Sequence, residues 1–160
     1  MTEVRDPAQC ADDIAAARDA LLDFAAACTA GDWQRHVLDD QGDPRPVGVV
    51  VDHVAHSYEY LAGWIRECVA GGSPAVSTDL VDALNARHAA AAGQVSRDQA
   101  AEHLRRSGDA IIELVAGLSS AQLDIDDGQV RRFALIAARH ASDHRSDLQA
   151  ALRASADQAE

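Results

Sequence analysis

The stretch AARHASDHRSDL, residues 137–148, places two histidines, His140 and His144, four positions apart. On a helix that interval sets one side chain above the other, with roughly 5–6 Å between Cβ atoms, so both imidazoles can reach one ion. The pair falls in line with Phe133, Ala137 and Leu148 and not with the arginines and aspartates around it. An imidazole is costly to bury alone, and in its neutral form it is a common metal ligand. Two core histidines bonded to backbone or carboxylate groups would give the same pattern. A third histidine able to reach the pair favours the metal.

The segment VVVDHVAHSYEYLAGW offers His53 and His56. With His53 set at zero and about 100° per residue, Ser57, Leu61, Trp64 and Cys68 fall on the same side, at about 20–80°. His56 falls at about −60°, turned from the apolar centre, and reads as a surface or boundary residue. His53 is therefore the inward candidate, and the predicted ligand set is His53, His140 and His144. His36 lies in a loop and is expected in solvent; His88 and His103, among arginines and glutamates, are expected on solvated faces. Glu59 points away from His53 on helical spacing. Asp143 and Asp147, three residues after each histidine of the pair, read as surface charges in preference to acceptors for imidazole N–H groups. Arg139 and Arg145 flank the pair, and spacing does not fix their direction. Catalytic residues beyond the ligands are not identifiable.

Helices must position these groups. Asp6 before Pro7, with Gln9 in the capping-box position, starts a helix carrying Ile14, Ala17, Leu21, Ala25 and Cys28 on one face. GDWQRHVLDDQGDPRP has two glycines and two prolines and reads as a long loop. A second helix is predicted from Pro46 or Val47 through VGVVVDHVAHSYEYLAGWIRECVA. Its opening valines are poor helix formers, but the helical spacing continues through Val54, Tyr58, Leu61, Ile65 and Cys68. LVDALNARHAAAAG makes a shorter helix. Ser96 with Gln99 opens another, carrying Leu104, Gly108, Ile111, Val115 and Leu118. SSAQLDIDDGQ reads as a connector, and the last helix runs from near Gln129 to Leu152. No segment reads as a strand. The expected architecture is all-α: a four-helix bundle with one additional short helix, as a single domain over 1–160 with its core at about 7–152.

Composition agrees. The chain is 48% hydrophobic but 4% aromatic, so small and aliphatic side chains must pack it, which favours helices. A formal charge of −12, with no lysine, argues against nucleic acid as a partner. Three scattered cysteines, Cys10, Cys28 and Cys68, form no disulfide framework and suit a reducing interior. The amino terminus lacks the basic-then-apolar order of a leader, and no apolar run approaches spanning length. A soluble, cytoplasmic chain without membrane partners is expected.

VVVDHVAHSYEYLAGW followed far downstream by RHASDH resembles the DinB-like (YfiT-like) helical bundle family, over about Ala15 to Leu152. The resemblance implies a three-histidine metal site, with His53 in the second-helix role and His140 and His144 as the last-helix pair. Members often carry Trp-Ser just before the second helix, where this chain has Arg45-Pro46, a departure at the mouth of the pocket. Similar proteins include transferases that use mycothiol or bacillithiol, and a mycothiol-dependent maleylpyruvate isomerase; many are dimers. The resemblance thus implies a metal-dependent transferase joining a low-molecular-weight thiol, mycothiol first, to an electrophilic small molecule, in a homodimer. Three histidines leave a fourth position open on zinc, the arrangement of catalytic sites; nickel or iron would also suit imidazole. Water activation is the less favoured use, since no glutamate adjoins a ligand as in H-E-x-x-H. The competing expectations are a metal- or ligand-binding bundle without turnover, and a member that holds no metal.

Overall fold

The computed structural model describes residues 5–39 and 41–159. Residues 1–4, on which the reading of the amino terminus partly rests, lie outside them. Asp6 caps α1 (Pro7–Ala27) with the reciprocal Asp6–Gln9 bonds of a capping box, and Cys10, Ile14, Ala17, Leu21 and Ala25 bury its stripe. A second box, Thr29 with Asp32, opens the short α2 (Ala30–Gln34).

The segment read as loop contains more structure than expected. After α2 come β1 (His36–Leu38) and β2 (Pro44–Pro46), antiparallel with Val37 opposite Arg45. The turn between them has a mechanism: Asp39 Oδ1 accepts from the backbone N–H groups of Gln41 and Asp43, and Gly42 takes a φ of 80°. Prolines at both ends of β2 hid this ribbon, because a two-stranded ribbon has only edges and so tolerates them.

Helix α3 (Val47–Val69) begins directly after β2. Its valines are helical because burial outweighs their intrinsic preference: Val47, Val49, Val50, Val51 and Val54 are all buried. Trp33 of α2 lies against the start of this helix, where a Cβ on Gly48 would come within 2.6 Å of the indole. The Trp33 Nε1–H donates to the Val95 carbonyl, 3.0 Å away, which ties α2 to the segment before α5.

Ser77 caps α4 (Thr78–Ala91), and the Ser96–Gln99 box opens α5 (Arg97–Ala116). Within the expected connector lies the one-turn α6 (Ser120–Leu123). Helix α7 (Ile125–Asp157) starts with Asp126, Asp127 and Gly128 at positive φ, so its regular part begins at Gln129, as the sequence predicts.

Four helices form the bundle. Around its perimeter α1 packs on α5, α5 on α3, α3 on α7 and α7 on α1, so α1 lies diagonal to α3 and α5 to α7. Helix α3 thereby has α5 on one side and α7 on the other. Helix α4 stands outside this ring against α3, and His88 is its single buried residue. The fold is all-α with one small ribbon. Among the described residues no helix is long and apolar enough to cross a membrane.

Candidate metal centre

His53 is contributed by the second turn of α3, while His140 and His144 stack on consecutive turns of α7. Because α3 and α7 are neighbours, the three imidazoles meet between them. His53 Nε2 and His140 Nε2 lie 2.8 Å apart, and ring centroids are separated by 4.8 Å (His53–His140), 5.2 Å (His53–His144) and 4.3 Å (His140–His144). One ligand atom from each lies within 4.8 Å of the others, so the three can hold one metal ion. The donor set fits a borderline transition ion: three imidazoles at about 2.0–2.1 Å from a tetrahedral zinc would have nitrogens about 3.3–3.4 Å apart. The 2.8 Å between His53 and His140 nitrogens and the 4.8 Å limit for all three bracket that spacing.

Electrostatics keep His53 and His140 in the ligand form. Burial, reinforced by the neighbouring imidazoles, pushes His53 down to about 2, and burial with His144 beside it takes His140 down to about 3. Both are neutral at ordinary pH. Ser57 Oγ, fully buried, is 3.1 Å from His140 Nε2, donates to the His53 carbonyl at 2.8 Å, and accepts from the Tyr60 hydroxyl at 3.1 Å. This serine borders the cluster with its own proton committed to the His53 carbonyl. His53 and His144 also line a small cleft of about 50 Å³, walled by the first turns of α3, by Asn85, His88 and Ala89 of α4, and by Asp39 and Arg45 of the ribbon.

A second network adjoins the first, and here the sequence reading is corrected. His88 and His103, expected in solvent, both donate to the buried Asp52: His88 Nε2 to Oδ2 at 2.7 Å, His103 Nδ1 to Oδ1 at 2.8 Å. His103 Nε2 also reaches Glu59 Oε1 at 2.8 Å, so Glu59 does point away from His53 but has a partner of its own. Burial alone would raise Asp52; its bonds to the two histidines outweigh that and hold it below the usual carboxylate range. For His103, burial lowers the pKa, but the bonds to Asp52 and Glu59 prevail and raise it. His56 stacks on His88 with ring centroids 5.0 Å apart, at the boundary where it was expected.

The error had a visible warning. Asp52 interrupts a run of buried valines, and a carboxylate there requires partners; His88 and His103 supply them from α4 and α5. His36, Arg139, Asp143 and Asp147 are exposed and stand apart from the cluster, while Arg145 is half-buried outside the residues lining the cleft.

A four-helix bundle with a candidate three-histidine metal centre at a cleft mouth is the class that fold and site define. The chain belongs to the DinB superfamily, whose sequence profile matches residues 13–148. The solved structure described as "Sibling Lethal Factor Precursor - DfsB" has the same fold, with a TM-score of 0.72 at 15% identity, covering 96% of this chain and 98% of that one. Comparison with curated proteins gave no match.

Proposed function

We propose that His53, His140 and His144 hold one divalent transition ion, zinc first, and that the chain transfers a low-molecular-weight thiol to an electrophilic small molecule. The observation that carries this reading is the convergence of three imidazoles, two of which, His53 and His144, line an open cleft. Three protein ligands suit a site with one position left for a ligand. Such an ion supplies, when bound, a place where a thiol is held as its thiolate at neutral pH. The chain's own part is to keep His53 and His140 neutral, to bring the three imidazoles together through the α3–α7 packing, and to give the electrophile a partly apolar wall in Val49, Val50 and Ala89. In the transfer the thiol proton is released, the sulfur pair forms the S–C bond, and the leaving group departs with its bonding pair.

Two measurements test this. Elemental analysis of protein purified without a nickel column should give one transition ion per chain. Conjugation of mycothiol, bacillithiol or glutathione to a panel of electrophiles should then depend on that ion, vanishing on chelation and returning on reloading. Bound metal without conjugation for any thiol would leave a metal-binding bundle without turnover.

A further inference from the structure

The cleft beside the histidines has a second polar pole. Arg45, on β2, lines it, and its guanidinium is positioned by the ribbon turn. Asp39 Oδ1 is engaged by two backbone N–H groups, at 2.9 and 2.8 Å, and Oδ2 meets Arg45 Nε at 3.3 Å. Asp43 forms a second, looser ion pair with Nη2 at 3.7 Å. Among the described residues neither Nη nitrogen makes a hydrogen bond, so both can donate to a ligand. Asn85 of α4 also lines the cleft, and its Oδ1 is buried with no hydrogen-bond partner among the described residues. A carboxamide takes its donor or acceptor orientation from what faces it. A planar anion between them would accept from the arginine fork and from the turned amide, the pairing at which guanidinium surpasses other donors.

We propose that this cleft takes a ligand bearing a carboxylate, received by Arg45 and Asn85, while the ligand's other end meets the histidines. The inference names the substrate class for the function proposed above and rests on it at the metal end. In an acidic chain, at −12, and with Asp39 on the same cleft wall, Arg45 is the cationic side chain lining the cleft and the group an anion would meet.

The test uses the full chain loaded with cobalt(II), whose spectrum reports sulfur ligation, and titrates it with 3-mercaptopropionate, its methyl ester, and propionate. The acid thiol should bind about 10-fold tighter than the ester, the scale of one charge-assisted hydrogen bond. In Arg45→Gln that preference should vanish, and Arg45→Lys should keep part of it, with helical content and cobalt stoichiometry unchanged. Equal binding of acid and ester with a sulfur–cobalt band, or a preference that survives in Arg45→Gln, overturns the inference and leaves the proposed function standing. Propionate binding that needs Arg45, with no sulfur–cobalt band from either thiol, supports the inference and overturns the thiol reading. Binding of none of the three overturns both.

Discussion

Asp52 and His53 are consecutive on α3 and serve different helices. Asp52 turns to His88 of α4 and His103 of α5, at 2.7 and 2.8 Å, whereas His53 turns to His140 of α7, at 2.8 Å. A rotation of about 100° between neighbouring residues makes this possible, because α5 and α7 flank α3 in the bundle. One dipeptide thus sets a candidate metal centre on one side and a buried ionic network on the other. The two can be perturbed separately.

His144→Ala and His53→Ala should each weaken metal binding by on the order of 100-fold or more, since even residues behind the ligands are worth about 10–100-fold. His56→Ala should bind as the parent does, because His56 is engaged with His88 and Glu59. Helical content should persist in all three, since packing of the aliphatic stripes holds the bundle. Competition against a chromogenic chelator reads the affinities. Retained affinity in His144→Ala, or loss in His56→Ala alone, would reassign the ligands.

The metal-free protein should lose stability on acidification from about neutral pH to about pH 5. His53, His140 and His56 all bind protons more weakly in the folded chain than at the ordinary 6.5, mainly through burial. Below that value the unfolded chain takes up protons the folded chain refuses, and stability falls until pH reaches about 3 for His140 and about 2 for His53. His103 has the opposite sign: its raised pKa adds stability below 6.5 that is lost as pH rises through its folded value. Three lowered groups outweigh one raised. Asp52, already ionised there, enters only on further descent through 3.8. Urea midpoints at the two pH values check the direction, and His140→Ala should flatten the dependence; a midpoint that rose toward pH 5 would contradict it.

Much of this was legible because helices repeat. The stripe Val130, Phe133, Ala137, His144, Leu148 is continuous in the sequence and buried in the structure, so the inward course of the last-helix pair followed from counting. The same angle separated His53 from His56. What escaped was non-local. Helix α4 buries only His88, so its pattern had no stripe to which that histidine could belong. His103 sits beside an acidic residue in sequence, but its partners are 51 and 44 residues away. The ribbon at 36–46 escaped for a different reason: three-residue strands are too short for alternation to register.

Gly48→Ala should destabilise the chain by about 1–3 kcal/mol, the usual range for overpacking. The added Cβ would meet Trp33 ring atoms at 2.6 Å, and the indole cannot withdraw freely because its N–H holds the Val95 carbonyl. Gly63→Ala, on the same helix with nothing near its Cβ position, is the control and should be neutral or slightly stabilising. Equal effects of the two in denaturant unfolding would show that the Trp33 contact yields without cost.

Asp52→Asn should cost about 3–5 kcal/mol, the range for removing one partner of a buried ion pair, with the lower end expected because an amide oxygen can still accept one imidazole N–H. Glu59→Gln removes the other carboxylate bonded to His103, yet that side chain is 49% exposed and water can replace it, so its cost should stay below about 1 kcal/mol. The difference should also appear locally. Since His88 is the one buried residue of α4 and Asp52 its hydrogen-bond partner, Asp52→Asn should speed backbone hydrogen exchange in α4 more than the global loss accounts for. Exchange in α1, whose residues make no hydrogen bond to Asp52, His88, His103 or Glu59 among the described residues, should track global stability alone. Uniform acceleration across all helices would mean that the Asp52–His88 bond does not fasten α4, and that α4 is held by its aliphatic contacts with α3 instead.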